Sequence, residues 1–335
     1  MVKSAIFAIL AVLFTITTVS SLATIPSCPE FDAPAIVGQL RDPRWTGISG
    51  LAASQRNPGV WWIHNDGGTG VNEAGKFYAI TGDGTLLAEF TLAGVSSLGS
   101  TDAPVDIEDI AVRSGPNGES FLYLADIGGN RYTPSGRRSV RIFRVREPQV
   151  GTANEVPPPM HLTDYTTLHL TYPHGLRHDA ETLLVDMTSD VYIVTKAPST
   201  GTSRVYLKAV PHVDETTTPL TLVATLEFGG DVLPGDRAAT AGDISVQGTE
   251  AVIRTYDHVF LWVRTPGTSW SRTFAMTKPC SLPTAPPHSY EAVAFDHTGT
   301  DVRDTYEASG ADLQQYARKD VLHLEKIYYL PLIFQ

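Results

Sequence analysis

Hydrophobic residues in this chain occur in short runs that are rich in Val, Ile, Leu, Tyr and Thr, and turn-forming residues separate the runs. Representative runs are "FYAIT" (77–81), "FLYLAD" (121–126), "VYIVTK" (191–196) and "VFLWVR" (259–264). No stretch shows a clear helical period. Short runs of this composition, bounded by Gly, Pro, Asn and Asp, predict an all-β fold.

Five segments repeat one pattern, in which a pair of small or acidic residues precedes an alternating aliphatic strand: "ISGLAA" (48–53), "IEDIAV" (107–112), "AETLLV" (180–185), "AGDISV" (241–246) and "YEAVAF" (290–295). Their second residues are Ser49, Glu108, Glu181, Gly242 and Glu291. Further strands follow the early repeats, and four antiparallel strands per repeat is the plan of a β-propeller blade. The sequence therefore predicts a single β-propeller of four-stranded antiparallel blades. Five blades fit the count, and six stay open because the 73 residues between Glu108 and Glu181 can hide loops or another blade.

The two ends of the chain carry separate signals. Residues 1–23 combine an early lysine, a short apolar core and small residues at the exit, which predicts a secretory signal peptide, with a retained anchor as the alternative. The propeller is assigned to 24–335, where "PAIVGQL" (34–40) could pair into the last blade and close the ring. The segment after about residue 310 lacks a clear turn-strand rhythm, so its place is left open. We expect a secreted, extracellular protein without stable membrane insertion.

The sequence holds two cysteines, Cys28 and Cys280. An oxidising compartment favours a disulfide between them, and two separate thiols are the alternative. The net charge of −11 argues against a nucleic-acid partner, since binding the phosphate backbone calls for clustered Lys and Arg. The same charge is compatible with a cation site. The oligomeric state is left open.

Polar residues are expected to converge at one end of the propeller channel, which we call the mouth. The inner strand and the next strand of a blade are antiparallel, so the start of the first lies beside the end of the second. The inner-strand starts supply Ser49, Asp106, Glu108, Asp109, Asp179, Glu181 and Glu291. The second-strand ends supply His64, Asn65, Asp66, Asp126, Asn130, Lys196, Arg254 and Tyr256, and Glu307 takes the corresponding place in the last repeat.

So many carboxylates at one point require a counter-charge or retained protons. Calcium binds six to eight oxygens of carboxylates, amides and backbone carbonyls, so it is the cofactor that this pattern favours. The candidate ligands are Glu108, Asp126, Asn130, Glu181 and Glu291. The alternative is that these acids cap turns and pair with Arg131, Arg177 or Arg254.

Other residues at the mouth suggest catalytic and binding roles. His64, Asp66 and His178 are the candidate catalytic residues, because a histidine beside an acid can act as a general base. Structural histidines that bond the turns between blades are the alternative. Lys196, Arg254 and Tyr256 are the candidate substrate-binding residues, and the two cations could instead pair with the neighbouring acids.

In chain order, the motifs "ISGLAAS", "WWIHNDGG", "DIEDIAV", "LADIGGNR", "HDAETLLVD", "VYIVTK", "IRTY" and "YEAVAFD" resemble a group of secreted β-propellers. These propellers are related to the "esterase-like activity of phytase" domain and, more distantly, to SMP-30/gluconolactonase-like propellers. The resemblance covers roughly residues 45 to 300 and implies the propeller fold. The chain departs from the group after Gly310.

Three functions remain in competition at this point. The first is a calcium-assisted hydrolase of an ester, phosphoester or lactone, with its active site at the mouth. The second is a non-enzymatic propeller that binds a glycan or a protein. The third is a propeller glycosidase or polysaccharide lyase that uses Glu108, Glu181 and Glu291. A small-molecule or glycan ligand is expected for the hydrolase, for the glycosidase or lyase, and for a propeller that binds a glycan. A propeller that binds a protein is the exception. Acids gathered around one point favour the metal, whereas two acids facing across a groove favour sugar chemistry.

Overall fold

The computed structural model describes residues 27–66, 74–95, 105–115, 118–129, 136–151, 156–197, 200–228, 237–283 and 289–319. The predicted signal peptide, Asn130 and the chain after Lys319 lie outside these ranges. In the described ranges, no helix is long and apolar enough to cross a membrane.

Five sheets of mainly four antiparallel strands form the blades of a propeller, which confirms the predicted fold class and the count of five blades. Blade 1 contains β2 (Ile48–Ala53), β3 (Val60–Asn65), β4 (Lys76–Thr81), β5 (Leu86–Leu92) and β9 (Met160–Leu162). Blade 2 contains β6 (Ile107–Ser114), β7 (Ser120–Asp126), β8 (Ser139–Arg146), β10 (Tyr165–Thr171) and β14 (Thr217–Pro219). Blade 3 contains β11 (Ala180–Val185), β12 (Val191–Thr195), β13 (Thr202–Lys208) and β15 (Thr221–Glu227).

Blade 4 contains β16 (Ala239–Ile244), β17 (Glu250–Thr255), β18 (Val259–Val263) and β19 (Cys280–Ser281). Blade 5 contains β20 (Tyr290–Phe295), β21 (Val302–Tyr306), β22 (Asp312–Tyr316) and β1 (Ala35–Gln39). The inner strands β2, β6, β11, β16 and β20 pack around the axis, each against its two neighbours. The short strands β9 and β14 add in parallel to the outer edges of blades 1 and 2, which covers edges that could otherwise pair with another chain.

The ring is closed by β1, which pairs antiparallel with β22 as the outer strand of blade 5. This confirms the predicted role of "PAIVGQL". Within the region after Gly310, "DLQQY" forms β22 and pairs with β21, whereas residues 320–335 lie outside the described ranges. The regular alternation of turns and strands ends there because the outer partner of β22 is β1, which comes from the other end of the chain.

A short α-helix, α1 (Trp270–Met276), interrupts the all-β pattern between β18 and β19. Its N-cap is Ser269, whose side chain accepts a hydrogen bond from the backbone N–H of Arg272. Trp270 and Phe274, one helical turn apart, are buried against blades 3 and 4. Two buried apolar residues are too few for a helical period to be visible in the sequence.

The hydrophobic core is divided into five clusters, one in each interface between neighbouring blades. Trp62, for example, is fully buried between blades 1 and 2 and packs on Phe77 and Phe90. Because each cluster unites two blades, the apolar stabilisation of the fold lies between blades and leaves the channel free for polar groups.

Below the mouth, a buried polar network fills the channel. Asp109 of blade 2 accepts hydrogen bonds from the backbone N–H groups of Leu183 in blade 3 and Gly242 in blade 4. Arg113 of blade 2 forms an ion pair with Asp243 of blade 4 at 3.0 Å, and both side chains are at least 85% buried. The network ties the inner strands together and fixes the geometry of the mouth above it.

The Cys28–Cys280 disulfide is formed and closes a sequence separation of 252 residues. It joins the segment before β1 to β19 of blade 4, so blades 4 and 5 are linked covalently as well as by packing.

Replacing both cysteines by serine should lower the free energy of unfolding by about 2–5 kcal/mol, because the open chain has more unfolded conformations. Denaturant unfolding of the parent, the double variant and the reduced parent measures this. The last two should coincide; an unchanged midpoint in both would contradict a structural disulfide.

Candidate functional site

Every inner strand has a β-bulge at its second residue, where the pairing with the next strand slips by one position. A bulge inserts an unpaired residue and re-aims its side chain. The five bulge residues are Ser49, Glu108, Glu181, Thr240 and Glu291. All five are more than 90% buried, and three are glutamates.

The bulge in blade 4 corrects the sequence alignment of the repeats. The equivalent residue is Thr240, and the prediction of Gly242 was two residues too far along the chain. "AT" and "AG" are both pairs of small residues, so the pattern fits either frame. Gly242 lies inside β16, where an added Cβ would come within 2.8 Å of side-chain carbons of Leu184 and Thr182.

A second set of residues follows directly after the second strands of four blades: Asp66, Lys196, Tyr256 and Glu307. The backbone N–H groups of Asp66, Lys196 and Glu307 each donate to the carbonyl of the residue before the inner strand. In blade 2, Gly128 makes this bond, to the carbonyl of Asp106 at 3.1 Å. The two sets of residues meet around the channel, and with Asp106 and Asp179 they form what we call the acidic mouth.

On one side of the acidic mouth, single oxygens of Asp66, Asp106 and Glu108 all lie within 4.8 Å of one another. Glu108 is 3% exposed, and its Oε1 has no hydrogen-bond partner among the described residues. An added Cβ at Gly128 would lie 2.1 Å from that oxygen and 2.5 Å from Asp106 Oδ2. Any residue with a side chain at this position would clash with the two carboxylates, so only glycine allows both of them to lie here.

The other side of the acidic mouth, on blades 3 to 5, is organised around an ammonium group. Lys196 forms a close ion pair with Oε1 of Glu181 and lies 5.2 Å from the ring centre of Tyr256. The hydroxyl of Tyr256 donates to Oε1 of Glu291 at 3.1 Å. Glu307 lies beside Glu291, and its charge acts on that carboxyl group.

Burial and mutual repulsion weaken the acidity of these groups. Burial, and then the charge of Glu181, raises the pKa of Glu108 well above its ordinary value. Burial also raises the pKa of Glu181, although the ammonium of Lys196 opposes the shift. Burial and the charge of Glu307 raise the pKa of Glu291 to about 7. The mouth therefore has more negative charge than its own cation can balance, and it must retain protons or bind a cation.

His64, a predicted catalytic residue, is fully buried beneath Gly50, whose added Cβ would lie 2.2 Å from the ring Nε2. Its Nδ1 lies 2.9 Å from the carbonyl oxygen of Asn65. Burial lowers the pKa of His64 to about 4, so the ring is neutral near pH 7. Within the described residues, no carboxylate is a hydrogen-bond partner of this ring, and its catalytic role stays a prediction.

His178, the second predicted histidine, lies at the interface of blades 2 and 3. Its Nε2 is 2.8 Å from the hydroxyl of Tyr206, and its ring packs edge-on against Tyr172. Burial lowers the pKa of His178 to about 4. Its neighbour Asp179 belongs to the acidic mouth but accepts a hydrogen bond from the backbone N–H of Gly129. This environment is that of a histidine bonding between blades, the alternative that the sequence left open.

Two other predicted site residues are engaged in ion pairs. Arg254 is 1% exposed, forms an ion pair with Asp304 at 2.8 Å and lies 3.8 Å from the ring centre of Tyr290. It pairs across from Ala241 inside the sheet, so the residue equivalent to Lys196 is Tyr256 and not Arg254.

Asp126, a predicted metal ligand, forms ion pairs with Arg137 and Arg141. Its Oδ1 also accepts a hydrogen bond from the backbone N–H of Asp106 at 2.9 Å. Asp126 therefore holds the segment that carries Asp106. Asn130 lies outside the described residues.

The structure brings together Asp66, Glu108, Glu181, Lys196, Tyr256 and Glu291 from the predicted set. It adds Asp106 and Glu307, which the sequence placed at the mouth without a role. The signal for both was position, since Asp106 precedes an inner strand and Glu307 follows a second strand. In an alignment of the repeats, Asp106 corresponds to Asp179 and Glu307 corresponds to Lys196. That correspondence could have assigned both residues to the site.

In comparisons with known proteins, no family model and no curated protein matches the sequence. Among solved structures, the chain is similar to the PQQ-bound form of aldose sugar dehydrogenase from Streptomyces coelicolor, with a TM-score of 0.42 and 10% identity over 86% of this chain and 99% of that one. Both chains are β-propellers, and no function is transferred from this likeness.

The raised pKa of Glu291 predicts a pH-dependent stability. An unfolded glutamate titrates near 4.5 and the folded one near 7, so between these values the folded state holds a proton that the unfolded state lacks. Rising pH therefore destabilises the metal-free fold through this group, by about 1.4 kcal/mol per unit of pKa difference.

The measurement is the difference in unfolding free energy between the parent and Glu291→Gln, followed from about pH 5 to pH 8. We expect the parent to lose stability relative to the variant across this range. The buried histidines are common to both proteins and cancel in the difference. The exposed-site variant Glu227→Gln is the control, and a flat difference would show that Glu291 ionises normally.

Proposed function

We propose that the acidic mouth binds one divalent cation, calcium, and that the loaded mouth hydrolyses an ester, phosphoester or lactone. The observation that carries this proposal is the orphaned Oε1 of Glu108, which is buried within a group of carboxylate oxygens less than 4.8 Å apart. A buried carboxylate oxygen without a partner is costly unless something binds it. Acids gathered around one point favour a metal over the facing pair of carboxylates that sugar hydrolysis uses.

In this proposal, Asp66, Asp106 and Glu108 are the protein ligands, a smaller and different set from the one that the sequence suggested. Their oxygens are of the type that hard cations select. Asp126 stays outside the set because two arginines neutralise it, and it acts by holding the backbone of Asp106. A bound calcium ion would supply Lewis-acid polarisation of the scissile group.

The proton-transfer role in the proposal falls to Glu291. Its pKa of about 7 is close to the value that suits a general acid or base near neutral pH. The hydroxyl of Tyr256 orients its Oε1, and Glu307 keeps its affinity for a proton high. His64 and His178 are the residues first suggested for this role, but His64 is fully buried beneath Gly50 and the ring of His178 is bonded to the hydroxyl of Tyr206.

Lys196 has a positioning role in the proposal. Its ammonium is held between Glu181 and Tyr256, where it balances the charge of one carboxylate that is not among the proposed cation ligands. Glu181 is therefore not counted as a ligand, although its Oε2 is buried without a hydrogen-bond partner among the described residues.

The test is a calcium titration of the secreted protein by calorimetry after exhaustive chelation. We expect one calcium per chain, and at least about tenfold weaker binding in Glu108→Gln and in Asp106→Asn, because each change removes a charged ligand. Glu181→Gln should have a smaller effect, and Glu227→Gln, on the outer strand of blade 3, should bind like the parent.

Two results would contradict parts of the proposal. The absence of calcium binding at millimolar concentration would remove the cation site. Equal losses in Glu181→Gln and Glu108→Gln would show that the cation lies between the two sides of the mouth instead of at the proposed three ligands. Thermal unfolding of each variant, without calcium, confirms that the substitutions leave the propeller folded.

A further inference from the structure

Three exposed arginines on the mouth side of blades 2 and 3, which we call the arginine patch, have no carboxylate partner within the described residues: Arg138, Arg177 and Arg204. In that part of the chain, the side chains of Arg138 and Arg204 donate no hydrogen bond, and Arg177 donates to the carbonyl oxygen of Gly136 at 3.2 Å. The net charge of the whole chain is −11, so the patch is a local reversal of sign.

The first two arginines of the patch lie opposite each other across a backbone bridge. The N–H of Arg137 donates to the carbonyl of His178 at 2.8 Å, and the N–H of His178 donates back at 3.0 Å. In this antiparallel bridge, the next residues, Arg138 and Arg177, face each other. Gly136 permits the close approach, because an added Cβ would lie 2.9 Å from the backbone of His178. Two cations held opposite each other repel, and a bound anion would offset the repulsion.

Arg204 extends the arginine patch onto blade 3. It lies two residues before Tyr206 in β13, so the two side chains share a face of the strand. The hydroxyl of Tyr206 is 2.8 Å from Nε2 of His178, and burial, followed by the charge of Arg204, lowers the pKa of that histidine to about 4. Arg204 is therefore near the bridge, and the patch spans the interface of two blades. Such a patch suits a ligand with several anionic groups along its length.

Two carboxylates in the neighbouring backbone segments have other partners. Asp126 forms its ion pairs with Arg137 and Arg141. Asp179 accepts a hydrogen bond from the backbone N–H of Gly129, and Lys196 is the cation whose charge acts on it. By contrast, the exposed Arg146, at the other end of β8, has its own partner in Glu119. The arginine patch is thus open to an anion from outside.

The surroundings of the patch favour a polysaccharide over a peptide. A peptide that binds by strand addition needs a free sheet edge. The outer edge of blade 2 is covered by β14, and α1 packs against β15, the outer strand of blade 3. Guanidinium groups on an exposed surface instead bind carboxylate or sulfate groups through paired N–H donors.

We propose that the arginine patch binds an acidic polysaccharide, a linear chain whose sugar units carry carboxylate or sulfate groups. The patch is separate from the proposed calcium ligands and binds without calcium. The propeller would then have a second binding surface, on the rim of blades 2 and 3, in addition to the acidic mouth.

The experiment measures the binding of polygalacturonate and of dextran sulfate to the full secreted protein by calorimetry, with dextran as the neutral control. Chelator is present throughout, because calcium binds carboxylates and could bridge the protein and polygalacturonate. We expect at least one of the acidic chains to bind, with an affinity that falls as salt rises, and dextran not to bind. If neither acidic chain binds at low salt, the inference is wrong, and the calcium proposal is unaffected.

The variants Arg138→Gln, Arg177→Gln and Arg204→Gln each remove one guanidinium group. We expect each to bind about threefold more weakly than the parent, as the loss of one exposed ion pair implies. Arg146→Gln removes the same charge outside the patch and should bind like the parent. Thermal unfolding without polysaccharide confirms that all four variants fold.

Polyglutamate, a flexible peptide with the same carboxylates, should bind more weakly than the polysaccharides because it loses more entropy on ordering. Equal binding of polyglutamate would overturn the choice of a polysaccharide. An equal loss of binding in Arg146→Gln would show that net charge, and not the arginine patch, controls the interaction.

Discussion

Repulsion between buried carboxylates at the channel mouth is the constraint around which this propeller is organised. Five inner strands converge on one axis, and a bulge at the second residue of each one presents its side chain there. Three of these side chains are glutamates, and the positions after the second strands add Asp66 and Glu307. An arrangement of this kind destabilises the fold unless protons or cations offset it, so it is expected where a site is needed and not where stability alone is selected.

The rest of the molecule supplies the stability that the mouth lacks. Each interface between blades has its own apolar cluster, β1 closes the ring, and the disulfide joins blades 4 and 5. Deeper in the channel, backbone N–H groups satisfy Asp109, and Arg113 and Asp243 pair with each other, in contrast to the unsatisfied oxygens above. The channel thus combines a rigid, neutralised base with a charged mouth, which holds the ligands at fixed positions.

The fold could be predicted from the sequence because a repeated strand segment indicates a repeated structural unit. Five similar strands implied five blades, and the need to close a ring gave "PAIVGQL" a partner. Individual site residues were harder, because a shift of two residues keeps a side chain on the same face of a strand but moves it along the channel. That shift separates Thr240 from Gly242, and Arg254 from Tyr256. The burial and the ion pairs of these side chains could not be predicted from the sequence either. The motif "HND" does not indicate that His64 lies beneath Gly50. The residues around Asp126 do not indicate that two arginines later in the chain neutralise it.

The asymmetry of the mouth argues for one cation rather than several. Glu181 and Glu108 occupy equivalent bulges and are equally buried, yet their surroundings differ. In blade 3, the backbone N–H that bonds the residue before the inner strand belongs to Lys196, whose ammonium pairs with Glu181; in blade 2, it belongs to Gly128, which brings no charge and lies against the carboxyl group of Glu108. A lysine and a glycine that make the corresponding backbone hydrogen bond thus leave one carboxylate with an internal cation and one without. The second is where an external cation gains the most.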